Sequence, residues 1–166
     1  KEKQKKLLIS QLELARKYNK TVVIHSRDSI AETYEILKQF KDLKKVIHCY
    51  SSSLEMALEF IKINCVFGIG GVLTFKNSHK LVDVVKNVDL KYFLLETDSP
   101  YLTPEPYRGT KNEPYNIIYV AKKISEIKNI SLNSVLKQTT KNAISEFDLT
   151  LNLWYDYCSL RKSRGE

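Results

Sequence analysis

Cysteine, proline, glycine and histidine are all scarce in this sequence, and each shortage removes a class of protein. The cysteines are three, Cys49, Cys65 and Cys158, odd in number and scattered. They fit neither a disulfide framework nor a cysteine metal site, and they point to a reducing compartment, cytoplasmic or nuclear. Five glycines and four prolines leave no low-complexity tract. No G-x-G-x-x-G follows an expected strand and no Walker A sequence occurs, so nucleotide-fold chemistry lacks its phosphate loop. The G-x-S-x-G elbow of serine hydrolases is also missing. No apolar run approaches the about 18 residues of a membrane span. The chain opens KEKQKK, with neither an initiator methionine nor a signal peptide, which reads as a piece cut from something longer. Without a secretory signal, the sequon Asn129-Ile130-Ser131 is discounted.

What remains is a chain of 166 residues, 43% apolar, which is one domain or part of one with enough apolar matter for a core. Acids are outnumbered 19 to 27 by lysine and arginine, for a net charge of +8. A basic chain attracts polyanions such as nucleic acid. The lysines are spread out, however, without an arginine–aromatic tract, so simple composition bias explains the charge equally well.

Leu7, Leu8, Leu12, Leu14 and Ala15 give residues 2–19 near-helical spacing. TVVIHS, Thr21 to His25, reads as a buried strand, and Asp28 or Ser29 can cap the helix IAETYEILKQF. KVIHCYS is a second strand. Ser52 with Glu55 suggests a capping box before LEMALEFIKIN. CVFGIGG is a third strand, its glycines marking close backbone approach. SHKLVDVVKNV is a short helix and KYFLLETD a fourth strand. Pro114 suits a helix's first turn, and Ser131 caps a last helix running to about Phe147. The tail RKSRGE is expected to fray. Short apolar strands with roughly 20–25 residues between successive starts, alternating with helices, predict a parallel α/β sheet. Both a (β/α) barrel segment and a doubly wound sheet fit.

Three expected strands end in a metal-ligand residue type: His25, His48 and Asp98. Catalytic groups of a (β/α) barrel sit at the C-terminal strand ends around one mouth. Imidazoles and a carboxylate gathered there suit zinc, manganese or magnesium. Two-residue alternation puts Glu96 on the face of Asp98 one layer deeper, where it can orient a ligand or an arginine. Singly, a strand-end histidine is an ordinary core or turn residue, and Asp before Ser-Pro is a turn former. Their equivalent placement favours a site. Cys49, beside His48, points to the opposite face and reads as packing.

VVIHSRDS, VIHCYSSS, GGVLTFKNS and LLETDSPYLTPEPYRGTKNEP, in this order, resemble the motifs of the TatD family of metal-dependent deoxyribonucleases, from about Gln4 to Phe147. The resemblance implies a distorted TIM-barrel fold and DNA cleavage at a two-metal site with magnesium, manganese or zinc. It implies metal-binding roles for His25, His48 and Asp98, with Asp98 also catalytic. Arg108 and Gly109 match the loop beside the active site, and Lys76 and Asn77 match TFKN. Phosphate contacts are expected of Arg108, Lys76 and Asn77; the competing reading leaves Lys76 solvated and makes Asn77 a helix cap. Arg27 and Asp28 read as local structure. Tyr101 and Tyr107 read as rim cover, with base stacking as the other option.

The family's H-x-H strand and its bridging glutamate have no counterpart here. The chain therefore reads as the C-terminal half of a barrel over 1–147, about four β/α units, followed by an extension over 148–166. A full barrel needs about 250 residues, so the N-terminal half would be a missing partner and this piece inactive alone. Two alternatives stand beside the nuclease: a non-catalytic nucleic-acid-binding or interaction domain, and an amidohydrolase-like enzyme acting on a small ester or amide.

Overall fold

The computed structural model describes residues 2–150. The tail RKSRGE, Cys158 and most of the expected extension fall outside the described residues. The order is α1 (Glu2–Lys17), β1 (Val22–His25), α2 (Ile30–Leu37), β2 (Lys45–His48), α3 (Leu54–Ile61), β3 (Cys65–Ile69), α4 (His79–Asn87), β4 (Phe93–Leu95), α5 (Ile117–Lys128) and α6 (Leu132–Glu146). The four strands form one parallel sheet in chain order, β1-β2-β3-β4. That is the topology of consecutive β/α units, and it decides against the doubly wound alternative, whose strand order reverses.

Period-two alternation sorts the strand residues onto two faces. Ile24, Ile47, Cys65, Phe67, Ile69 and Phe93 join Leu12 of α1, Leu37 of α2, Phe60 of α3, Val84 of α4 and Ile124 of α5 in the main core. The opposite face carries Val23, Val46 and Val66 in register, then His25 and His48 in register one layer higher. Gly68 on this face pairs with Leu94. Val23 is 54% exposed, so this face lacks cover at β1, where no described strand pairs on the far side.

Lys45 is fully buried on the helix side. Its ammonium donates to the carbonyls of Phe40 and Leu43, each at 2.6 Å, which fixes the turn entering β2. Burial pushes its pKa below the ordinary lysine value. Arg16 ties the end of α1 to the same turn, donating to both carboxylate oxygens of Asp42 and stacking over Phe40.

The helix starts differ from the sequence reading in three places. Ser29 stands at the N-cap position of α2 but makes no side-chain cap hydrogen bond. Ser53, not Ser52, caps α3, accepting from the Met56 amide at 3.4 Å, so the expected capping box with Glu55 does not form. Ser78, not Asn77, precedes α4, and its hydroxyl donates back to Leu73 and Phe75. Ser131 caps α6 as expected, accepting from Ser134.

The fourth strand is shorter than KYFLLETD: Lys91 and Tyr92 lie in a 3-10 turn before it, and beyond Glu96, whose amide still donates to the Ile69 carbonyl at 3.1 Å, the chain leaves the ladder. Its carbonyls are met by α6. Asn142 donates to Leu90 at 2.9 Å and to Phe93 at 2.8 Å. The same helix reaches the starts of the other strands: Lys44 donates to the Ser145 carbonyl, and Thr21 donates to that of Glu146. Helix α6 thus runs beneath the N-terminal ends of the strands and closes the base. No helix among the described residues is long and apolar enough to cross a membrane.

Two outcomes follow. Asn142→Ala removes the side-chain donor from the buried Phe93 carbonyl and one of the two donors of the Leu90 carbonyl, and is expected to lower stability by about 1–3 kcal/mol, read from urea unfolding; an unchanged midpoint would refute the clamp. The open β1 edge with Val23 on its surface should drive self-association of the 166-residue chain, and Val23→Lys should suppress it. Sedimentation checks both, and a monomeric wild-type chain would count against the edge.

Candidate metal centre

The mouth is assembled from the C-terminal ends of the strands. His25 and His48 end β1 and β2 in register, and their rings lie 5.7 Å apart, tilted by 39°. From the segment after β4, Glu96 and Asp98 reach back over β3 to His48. The imidazole is held from both sides: Nδ1 lies 2.9 Å from Glu96 Oε2, and Nε2 lies 3.1 Å from Asp98 Oδ1. The second oxygen of Glu96 accepts the Cys49 amide at 2.6 Å.

Gly68 makes this possible. A Cβ at that position would lie 1.9 Å from Glu96 Oε2, so only a residue without a side chain lets the carboxylate cross β3. Backbone strain gathers at the same rim. Asp28, Cys49 and Asp98 have φ of 55°, 49° and 54°, a left-handed conformation that costs a residue with a Cβ. After Asp98 the chain turns: Tyr101 donates its amide to the Asp98 carbonyl at 2.9 Å.

The electrostatics follow from the packing. Burial opposes protonation of His48, but the charge and hydrogen bond of Glu96, with those of Asp98, outweigh it and raise the pKa. Burial likewise pushes Glu96 up, while His48 and the Cys49 amide pull it back toward the carboxylate. The Cys49 thiol is raised to about 11 by burial, with Glu96 and Asp98 adding to it. Cys49 is therefore no thiolate nucleophile at neutral pH.

The donor set fits a cation. A neutral imidazole with its proton on Nδ1 toward Glu96 turns the Nε2 lone pair toward Asp98, an acceptor facing an acceptor. Either a second proton or a metal ion relieves that repulsion. Glu96 fixes the tautomer that frees Nε2, the usual task of a carboxylate behind a metal-binding histidine.

Not every expected residue joins this cluster. His25 is exposed and meets His48 only ring to ring. Among the described residues no three of His, Cys, Asp and Glu converge as a ligand group, so the expected meeting of His25, His48 and Asp98 at one point is limited to His48 and Asp98. Lys76 and Asn77 are exposed in the loop after β3. Arg108 lies across that loop, its guanidinium 3.5 Å from the Phe75 ring centre. The sequence reading missed the Cys49 amide and the positive φ at Cys49, for which composition and spacing carry no signal.

The clamp has a pH signature. A raised folded-state pKa means that the imidazolium stabilises the fold fully below about pH 6.5, and that this contribution is lost as pH rises through the folded value. Without metal, the His48 NMR titration should have its midpoint above the ordinary value. Gly68→Ala should displace Glu96 and bring it down; an unmoved midpoint would refute the role of Gly68.

Known proteins resemble this chain in sequence and fold. The family model described as TatD related DNase matches residues 1–148. The chain is 39% identical over 142 residues to YabD of Bacillus subtilis (strain 168), named an uncharacterized metal-dependent hydrolase, covering 84% of this chain and 56% of that protein. It is 34% identical to YcfH of Escherichia coli (strain K12), which bears the same description, covering 84% of this chain and 54% of that one. The crystal structure of YjjV, a TatD homologue from Escherichia coli K12, matches with a TM-score of 0.84 at 28% identity, over 90% of this chain and 58% of that one. An uncharacterized amidohydrolase from Saccharomyces cerevisiae shares the fold, with a TM-score of 0.78 at 20% identity, over 89% of this chain and 60% of that one. The chain spans little more than half the length of these relatives, and its partial barrel is theirs in architecture. It belongs to the TatD family of metal-dependent hydrolases.

Proposed function

We propose that the complete protein containing these residues is a divalent-metal-dependent deoxyribonuclease that hydrolyses phosphodiesters at a two-metal site. The observation that carries this reading is the His48 imidazole held between Glu96 and Asp98, with Nε2 and a carboxylate oxygen facing each other at 3.1 Å. His48 and Asp98 would hold one ion, and His25 would contribute to the shared centre. A bound divalent ion supplies charge stabilisation at a phosphoryl oxygen and a lowered pKa for water.

The remaining work falls to the chain's own side chains. Asp98 orients the attacking water and accepts its proton. Glu96 keeps His48 in its working tautomer. Arg108 is suited to clamp a phosphate bidentately, because Phe75 already fixes its plane. Lys76 and Asn77 give further phosphate contacts from the neighbouring loop. The net charge of +8 favours approach of a polyanion. Phosphodiesters are favoured over small esters or amides by Arg108 and this charge.

The 166-residue chain alone should cleave DNA negligibly, because the described residues leave both ion shells incomplete. The full-length protein should cleave it with magnesium, manganese or zinc and stop with chelator. In the full-length protein, Asp98→Asn should lower kcat by at least about 100-fold, the upper end for groups that only support a ligand. Nuclease assays on both proteins read this. Chelator-sensitive cleavage by the short chain, or full turnover by Asp98→Asn, would refute it. DNA binding without cleavage by the full-length protein would favour the non-catalytic binding domain, and turnover only of small esters or amides the amidohydrolase-like alternative.

A further inference from the structure

Between β4 and α5 the chain runs through residues 96–113 without strand or helix, yet it is pinned throughout. Asn112, 2% exposed, donates to the carbonyls of Thr97 at 2.8 Å and Tyr101 at 2.7 Å. Its side-chain oxygen accepts from the Glu113 amide and from Asn116. Thr103 donates to the Thr110 carbonyl at 2.6 Å. The Leu102 carbonyl packs on Gly71, where a Cβ would lie 2.0 Å from it. Tyr101 is thus fixed at both backbone polar groups, its amide on Asp98 and its carbonyl on Asn112.

Its side chain is nonetheless 71% exposed. The two tyrosines of this loop are not equivalent. Tyr107 meets Tyr119 edge-on at 5.3 Å, with the hydroxyls 3.3 Å apart, so it covers α5. Tyr101 instead borders a cleft of about 440 Å³ shared with Arg108, Thr103 and Thr110. Phe75 holds Arg108 from one side, which keeps its planar group oriented.

A ring on a rigid backbone binds another ring at little entropic cost, and a preoriented guanidinium suits a phosphate. An aromatic face beside a cation is the pairing that single nucleic-acid strands use. The geometry points to a nucleotide subsite: one unpaired base stacks on Tyr101 while its phosphate meets Arg108. The subsite rests on the nuclease reading, and the Tyr101 amide on Asp98 sets it directly beside the proposed metal ligand. Tyr101 then contacts the substrate directly and holds one base beside the mouth.

The test uses the full-length protein and a short fluorescein-labelled oligothymidylate, with a strand of abasic residues of equal length as the control. In chelator, fluorescence anisotropy should show the wild type binding the base-bearing strand roughly 10-fold more tightly than the abasic one, within the range of single-base stacking. Tyr101→Ala should erase that preference and Tyr101→Phe should keep it, with circular dichroism verifying that both variants fold. With metal, Tyr101→Ala should raise KM by a similar factor and leave kcat within about 2-fold, since stacking acts in ground and transition states alike. Equal discrimination by wild type and Tyr101→Ala, or loss of it in Tyr101→Phe, overturns the subsite while leaving the nuclease reading intact. Tyr101-dependent discrimination without cleavage supports the subsite and sinks the nuclease.

Discussion

One imidazole held by two carboxylates governs the mouth of this sheet. His48 sits at the end of β2, and the groups that hold it come from beyond β4, 48 and 50 residues away in the chain. Glu96 can arrive only by crossing β3, which is why β3 carries glycine at position 68. The Cys49 amide then anchors the far oxygen of Glu96. A buried carboxylate is costly unless its charge and lone pairs are met, and here a ring nitrogen and a backbone amide meet them. Each element is therefore placed by the needs of its neighbours: β2 provides the ring, β3 the gap, and the segment after β4 the carboxylates.

The opposite end of the strands serves stability. Lys45 and Asn142 satisfy buried carbonyls there, and α6 spans the starts of the strands. Separating a stabilising base from a functional mouth is the usual division in (β/α) barrels. It explains why buried polar residues occur at both ends with different consequences. At the base Lys45 and Asn142 have backbone partners. At the mouth, His48 Nε2 and Asp98 face each other in a way that only a proton or a cation resolves.

Much of this was legible in the sequence. The β/α alternation and the strand-end positions of His25 and His48 could be read because parallel buried strands are short apolar runs, whereas Asp98 lies three residues beyond the end of β4. Glu96 was placed on the face of Asp98 by two-residue spacing. Both carboxylates do reach His48, although the strand ends at Leu95 and the turn at Asp98, not strand pleating, completes the arrangement. The shift from Ser52 to Ser53 as cap could not be read, because a run of serines offers equal candidates. The α6 base also escaped, since Asn142 looks like any polar residue on an exposed helix face until its carbonyl partners are known.

The left-handed residues show why local propensity fails at the mouth. Asp28 and Asp98 tolerate positive φ better than most residues, but Cys49 does not. The conformation at Cys49 persists because its amide must face Glu96, and that contact fixes the second oxygen of the carboxylate that holds His48. Local strain at position 49 is thus offset by a charge-assisted hydrogen bond. Without that bond the carboxylate of Glu96 would be held by the His48 ring alone. The strain and the orientation of the His48 ring are two consequences of one contact.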